Sequence, residues 1–489
     1  MRKIFMQGMY IVFIIIITVI GLKYVSDLVR PKEKTFRKTD FLENAENIDV
    51  LFFGTSHMVN SIFPMELWND YGIASYNLGG HGHLMPSSYW LLMNALDYCK
   101  PELVVIDCQS IANNDKKVSM DYSHWTLDEF PLSMNKIKAV LDLFEDFSKR
   151  MEYLWDFSLY HSRWSVLTRH DYQKEHSYEF GAESRIAVAV PDEMININNY
   201  EMTELDTLST QYLHKIIEEC KKRDIEVLLT FLPFPVSKES NVNESLNSEF
   251  IAELYDINSV NFLRMDIVDY NTDCYDSGSH LNVSGGKKVT NWLGDYIQKT
   301  YNIQNRKEDP DYIKWEKSFS KYHMQNLERI KNEEVLENYL MLLQDKNLSV
   351  CIYVKENSNI YNQKQLIDLI SNISQYKKVE KIDKALSSKN DYMLIIDNGW
   401  KDIWECVGND KIEEMKALNL TFGEITYSMN GGDKVLYIQD FEKSYIVDQI
   451  NDIVPDIQVI VVNSAEGTIE DIKRFVNVNN EFICLEENE

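Results

Sequence analysis

Two places in this sequence carry residue types that can do chemistry together. The first is Phe53-Gly54-Thr55-Ser56-His57, where Ser56 sits on a small-residue turn directly after the apolar run 48–53. A serine hydroxyl presented at the end of a buried strand can act as a nucleophile, and nearby backbone N–H groups can face a developing negative charge. By itself the same segment also describes a helix N-cap. The second is Tyr-Asp-Ser-Gly-Ser-His-Leu-Asn-Val-Ser-Gly-Gly at 275–286, where Asp276 precedes His280 in a Gly/Ser-rich loop. Such a loop can fold the carboxylate back onto the imidazole and fix the tautomer of a general base. Acyl transfer needs a nucleophile, a base, a group that orients the base, and donors for the oxyanion. Ser56, His280 and Asp276 are the candidates for the first three roles.

These residues need a scaffold, and the apolar pattern supplies one. Runs at 48–53, 103–107 and 225–231 have the length and composition of buried strands. Between them lie helical patterns: 86–99, opened by Pro86; a stripe of Tyr212, Leu213, Ile216, Ile217 and Cys220; and a last helix near 285–298 with Val289, Trp292, Leu293, Tyr296 and Ile297 on one side. Strands alternating with helices predict an α/β fold in three layers, a parallel sheet covered on both faces, with chemistry at the carboxyl ends of its strands. Residues 301–345 are charged and helix-prone, with Pro310 near their start, and read as a helical connector. From 346 to 489 a second, smaller α/β domain is expected. Its strands are placed at 349–354, 392–397, 435–439 and 459–462, and its helices at 363–373 and 441–452. No catalytic constellation stands out there.

Composition removes several functions. A net charge of −27 excludes a nucleic-acid partner, which would require a basic surface. The seven cysteines are scattered without a CxxC pair or a Cys/His cluster, so neither a disulfide framework nor a metal site is expected. Residues 4–22 carry no charge and predict a transmembrane anchor. Arg2 and Lys3 also fit a signal peptide, but no A-x-A-like cleavage site follows. Lys23, Arg30, Lys32, Lys34, Arg37 and Lys38 follow the helix, and the positive-inside rule alone would keep them cytoplasmic.

Taken together, these blocks resemble the SGNH/GDSL hydrolase superfamily over about residues 45–300. The chain is most similar to a membrane-anchored branch that includes alginate O-acetylation and lipoteichoic-acid D-alanylation proteins. The serine block is Val50-Leu-Phe-Phe-Gly-Thr-Ser-His57, the glycine block Tyr76-Asn-Leu-Gly-Gly-His-Gly-His83, and the last block Asp276 and His280 with Leu281-Asn282. The resemblance implies an SGNH/flavodoxin-like sheet, Ser56 as nucleophile, His280 as base and Asp276 as its orienting group. It further implies an oxyanion donor at Gly82, or else Gly79 or Gly80. Two positions depart from the family. Its Gly-x-Asn-Asp block is replaced by Asp107-Cys108-Gln109, which makes Gln109 the candidate side-chain donor, with Asn113 and Asn114 as alternatives. Its aspartate three residues before the histidine is Ser277 here, so Asp276 takes the role, with Asp273 as the alternative.

Groove residues are sought at His83, beside His81 and Gly82, and in the long insertion 110–200, at His124-Trp125 and at His161-Ser-Arg163-Trp164. Tryptophan suits sugar faces and arginine suits anionic groups, although a core tryptophan and a surface ion pair fit the same residues. The resemblance implies a membrane-anchored esterase or O-acyltransferase needing no cofactor. It would act outside the cell on a polysaccharide or teichoic-acid-like polymer, beside a membrane-bound O-acyltransferase. A decayed hydrolase fold that binds polymer or partner is the alternative, and a cytoplasmic-facing lipid esterase a third.

Overall fold

The computed structural model describes residues 2–30, 36–116, 127–128, 130–155, 157–172, 178–190, 203, 205–234, 239–276, 280–375, 379–408, 418–420, 423–430, 433–439, 444–447 and 455–485. The chain packs into two compact units. One comprises residues 1–184, 192–268 and 289–322, the other residues 185–191, 269–288 and 323–489.

The first unit is built on a five-stranded sheet of β1 (Val50–Phe53), β2 (Ser75–Asn77), β3 (Leu103–Asp107), β4 (Glu226–Phe231) and β5 (Asn258–Asn261), in the order β2-β1-β3-β4-β5. Every pair is parallel, with Val50 opposite Leu103 and Asp107 opposite Thr230. This is the flavodoxin-like strand order. β1 and β3 are buried along their whole length, which is why they read as unbroken apolar runs rather than as alternating ones. The two edge strands escaped the sequence pattern. β2 is only Ser-Tyr-Asn and β5 is Asn-Ser-Val-Asn, so tertiary pairing, not apolar content, makes them strands.

The helix Met85–Ala95 begins one residue before the expected Pro86 and ends four residues before the predicted Cys99. The helix Leu208–Lys222 is capped by Thr207, whose hydroxyl accepts from Thr210 N, and carries Lys221 and Lys222 in its last turn. One face of the sheet packs Leu51, Phe53, Val104 and Ile106 against Leu91, Leu92 and Ala95 of the first helix and Leu213, Ile216 and Ile217 of the second. Trp315 closes the same core. It lies 5.8 Å from Trp68 and 4.8 Å from Phe180 between ring centroids, and is 2% exposed.

The N-terminal helix α1 (Arg2–Val29) contains one span, Met6–Val29, long and apolar enough to cross a membrane, with mean hydropathy 2.2. It runs past the predicted Leu22. Met6–Val25 are exposed, whereas Ser26 and Val29 are buried against the rest of the unit.

The second unit holds a six-stranded antiparallel sheet, in the order Asp402–Val407, Tyr392–Asp397, Leu348–Val354, Ile457–Asn463, Thr468–Val478, Glu481–Cys484. Its predicted helix at 363–373 is present as Lys364–Ser371. Of the predicted helix at 441–452, only 444–447 lie among the described residues, and they are not helical. Ser444–Val447 is a strand paired antiparallel with Asp433–Gln439, because Tyr-Ile-Val favours a pleated surface once a neighbouring strand offers its edge.

Replacing Trp315 by alanine should destabilise the first unit by about 3–5 kcal/mol, the usual cost of deleting a buried aromatic. Hydrogen exchange will show faster exchange at the β1 and β3 amides of the variant. Unchanged protection there would mean that Trp315 does not hold this core.

Candidate active site

In the first unit the serine turn is fixed from both sides. Gly54 follows β1, and a Cβ at that position would lie 2.7 Å from Asp107 Cβ and 3.0 Å from Met58 Cβ. Only glycine lets the turn lie flat against the end of β3. Thr55 then caps a short helix, Ser56–Ser61: its Oγ1 accepts from His57 N at 3.2 Å and its hydroxyl donates to Gln109 Oε1 at 2.8 Å. The capping role belongs to Thr55, so the half-buried Ser56 hydroxyl is not spent on it. Gln109 uses its amide oxygen on Thr55, which leaves Nε2 as the donor end of a head group one residue from the nucleophile candidate. Asn113 and Asn114, the alternatives, likewise accept through their amide oxygens, Asn113 Oδ1 from Asp115 N at 2.7 Å. Asn113 O accepts from Ser209 N and Asn114 Oδ1 from Leu208 N, tying this turn to the start of the helix Leu208–Lys222.

The glycine block is locked by Asn77, which the sequence did not single out. Its Nδ2 donates to Met58 O at 2.8 Å and Ile62 O at 2.9 Å, and its Oδ1 accepts from Gly79 N at 3.0 Å. Gly80 N donates to Gly54 O at 3.1 Å. The amides of Gly79 and Gly80 are thereby used within the loop. Gly82 has φ +64°, and its N–H donates to no acceptor among the described residues. His83 is buried, and its ring fills the space a Gly80 side chain would need. His81 Nε2 lies 2.9 Å from Glu183 Oε2, and Glu183 N in turn donates to Val59 O.

Arg163 is already committed: Nη1 donates to Val29 O at 2.6 Å, and Nη2 pairs with Asp171 Oδ1 at 2.9 Å. Trp164 beside it is 73% exposed. His124 and Trp125 lie outside the described residues.

Two carboxyls below this turn were also missed. Asp107 is fully buried, and burial pushes its carboxyl up to about 7, partly offset by N–H bonds from Leu232 and Gln109. Burial likewise raises Glu244 to about 7; its Oε2 accepts from Ser110 N at 3.1 Å, where Ser110 adopts φ +74°. The apolar run ending in Asp107 was the available signal, since a carboxylate at the end of a buried strand is costly.

In the second unit the histidine loop is a small antiparallel pair, Cys274–Asp276 with His280–Leu281, in which Asp276 faces His280. Asp276 Oδ1 accepts from His280 N at 3.0 Å, and its two carboxylate oxygens lie 3.0 and 2.9 Å from His280 Nδ1. Asp273 is spent elsewhere, on Lys288 Nζ at 2.7 Å, Ser284 Oγ at 2.8 Å and Asp269 N at 2.8 Å. Asn282 holds the base of the loop: its Nδ2 donates to Thr272 O at 2.7 Å and Ala187 O at 2.9 Å, and its Oδ1 accepts from Gly285 N at 3.2 Å. Among the described residues, no group of three or more His, Cys, Asp or Glu is arranged to hold a metal ion.

No protein-family model matches the chain. No curated protein matches it either. Similar solved structures include a Bacteroides fragilis protein assigned as an acylhydrolase, 15% identical, covering 53% of this chain and 94% of that one, with TM-score 0.28. A GDSL-like lipase from Bacteroides thetaiotaomicron is 13% identical, covering 54% and 97%, with TM-score 0.28. A Streptococcus pneumonia protein described as a platelet activating factor is 14% identical, covering 57% and 98%, with TM-score 0.28. Likeness at this level carries nothing about chemistry, which has to come from the side chains.

The buried carboxyl at Asp107 sets a pH dependence. Its folded value of about 7 lies above the ordinary 3.8, so between these values the folded state keeps a proton that the unfolded chain has released. Stability therefore falls as pH rises from about 4 to about 7 and levels off above. Asp107→Asn, which can still accept from Leu232 N, should flatten this decline in melting temperature measured across that range. Glu244 contributes with the same sign, so part of the slope will remain. An unchanged slope in Asp107→Asn would show that Asp107 is ionised in the fold.

Proposed function

We propose that this chain is a membrane-anchored SGNH-type serine esterase or O-acyltransferase acting on ester-linked acyl groups. Ser56 Oγ attacks the acyl carbonyl while His280 Nε2 takes its proton. The tetrahedral oxyanion receives N–H bonds from Gly82 and from Gln109 Nε2. Collapse expels the alkoxide, which leaves with the proton from His280, and an acyl-Ser56 ester remains. Water or an acceptor hydroxyl, deprotonated by His280, then attacks that ester and frees Ser56. Asp276 holds Nδ1 protonated and stabilises the imidazolium formed in both steps.

The observation that carries this reading is the grip of Asp276 on His280, at Nδ1 through both carboxylate oxygens and at the backbone N–H. It directs the other ring nitrogen to proton transfer, as a general base requires. The cap at Thr55 and the unspent Gly82 amide support the serine end. In this reading α1 is the anchor and the domain faces outward. The acceptor or substrate is a cell-surface polysaccharide or teichoic-acid-like polymer, and the acyl group arrives through a membrane-bound O-acyltransferase.

A fluorophosphonate probe should label the detergent-solubilised full chain at Ser56, and Ser56→Ala should abolish the label. Labelling that persists in Ser56→Ala would remove the serine from the mechanism. Gln109→Ala should lower ester turnover by about 100- to 1000-fold, the usual loss for one oxyanion donor, with little change in melting temperature. A near-normal rate in folded Gln109→Ala would leave the hole to backbone donors.

A further inference from the structure

The insertion after β3 carries a group of apolar side chains that its own unit leaves in solvent. Phe147 and Met151 lie on the helix Phe147–Leu154, Trp155 follows it, and Trp164, Val166 and Tyr172 lie in and beside the short helical turns His161–Ser165 and Arg169–Tyr172. All six are exposed, Trp164 by 73% and Tyr172 by 64%. Singly exposed apolar residues are ordinary, but six within 26 residues of one insertion are not.

Their position decides what covers them. The turns that carry Trp164 and Tyr172, and the helix Phe157–Tyr160 before them, pack against the end of α1. Arg163 Nη1 bonds the carbonyl of Val29 at the last turn of α1, where a helix leaves its carbonyls unpaired, and Asp171 Oδ1 and Oδ2 hold Arg163 and Thr168 N in place. This clamp fixes the aromatic turns to the anchor. At a rise of about 1.5 Å per residue, the exposed run Met6–Val25 spans roughly 30 Å, the thickness of a bilayer's hydrocarbon core. Burial in the protein begins at the next residue, Ser26. Burial thus begins directly where the span ends, so in a bilayer spanned by α1 the clamped turns would lie at the depth of the lipid headgroups.

We propose that this face of the insertion, centred on Trp155, Trp164, Val166 and Tyr172, docks on the bilayer surface that α1 enters and fixes the orientation of the first unit on the membrane. Tryptophan and tyrosine favour that boundary because their rings have an apolar body and a polar edge. The docking is apolar in character, because a chain of net charge −27 gains no general attraction to anionic lipid. The proposal rests on α1 being an anchor, and it assigns Arg163 to holding the anchor and Trp164 to lipid rather than to substrate.

The test uses the full chain reconstituted into phosphatidylcholine vesicles, with or without dibrominated phosphatidylcholine, which quenches tryptophan at contact. Trp155 and Trp164 are the exposed tryptophans among the described residues. They should supply most of the bromolipid-dependent quenching, so that Trp155→Phe with Trp164→Phe lowers it at least about twofold, and 0.5 M salt should leave it unchanged. Alkaline carbonate extraction of the same vesicles reports on α1 separately. Protein retained in the pellet, with quenching that the double substitution does not alter, overturns the docking face while the anchor stands, and gives the patch to a protein partner. Release into the supernatant overturns the anchor, and the docking proposal with it.

Discussion

The contact between Gly54 and the end of β3 is the constraint from which this end of the sheet is built. With Asp107 Cβ only 2.7 Å from where a Gly54 side chain would begin, the chain can leave β1 only by turning flat across β3. That turn brings Thr55 against Gln109, starts the helix Ser56–Ser61, and leaves the Gly54 carbonyl to accept from Gly80 N. Asn77 then closes the far end of the same helix and steers the glycine loop back over it. Serine, glutamine and glycine blocks are thus parts of one hydrogen-bonded knot, although they come from the ends of three different strands.

The knot is costly where it meets the sheet. Asp107 and Glu244 are both buried carboxyls, and burial outweighs the N–H bonds that each receives. Buried polar groups of this kind hold a loop in one arrangement at the expense of stability, and they collect beneath sites that must be preorganised. Ser110, held in the left-handed region by its bond to Glu244, is part of the same expense.

The histidine loop solves a different problem. Asp276 and His280 are four positions apart, and a hairpin pairing converts that separation into direct opposition across two strands. Asn282 secures the loop to three carbonyls around it, and Asp273 is neutralised by Lys288 rather than turned to the imidazole. The choice between two nearby aspartates is therefore made by their other partners and not by their spacing from His280.

Much was legible in the chain itself. Buried parallel strands must be apolar on both faces, so β1, β3 and β4 announce themselves, and with them the position of Ser56 at a strand end. The Asp-His pair and the glycine block are likewise local in sequence, and α1 is a matter of length and polarity. Pairing decided the rest. β2 and β5 are polar segments whose hydrogen bonds come from neighbouring strands, and Ser444–Val447 became a strand because an edge was available. The roles of Asn77, Glu183, Thr55 and Asp107, and the use of Arg163 on the carbonyl of Val29 at the end of α1, depend on partners as far as 134 residues away. Apolar periodicity records what a residue's own segment must bury. It holds no record of which distant carbonyl a side chain will meet, and that only the tertiary structure decided.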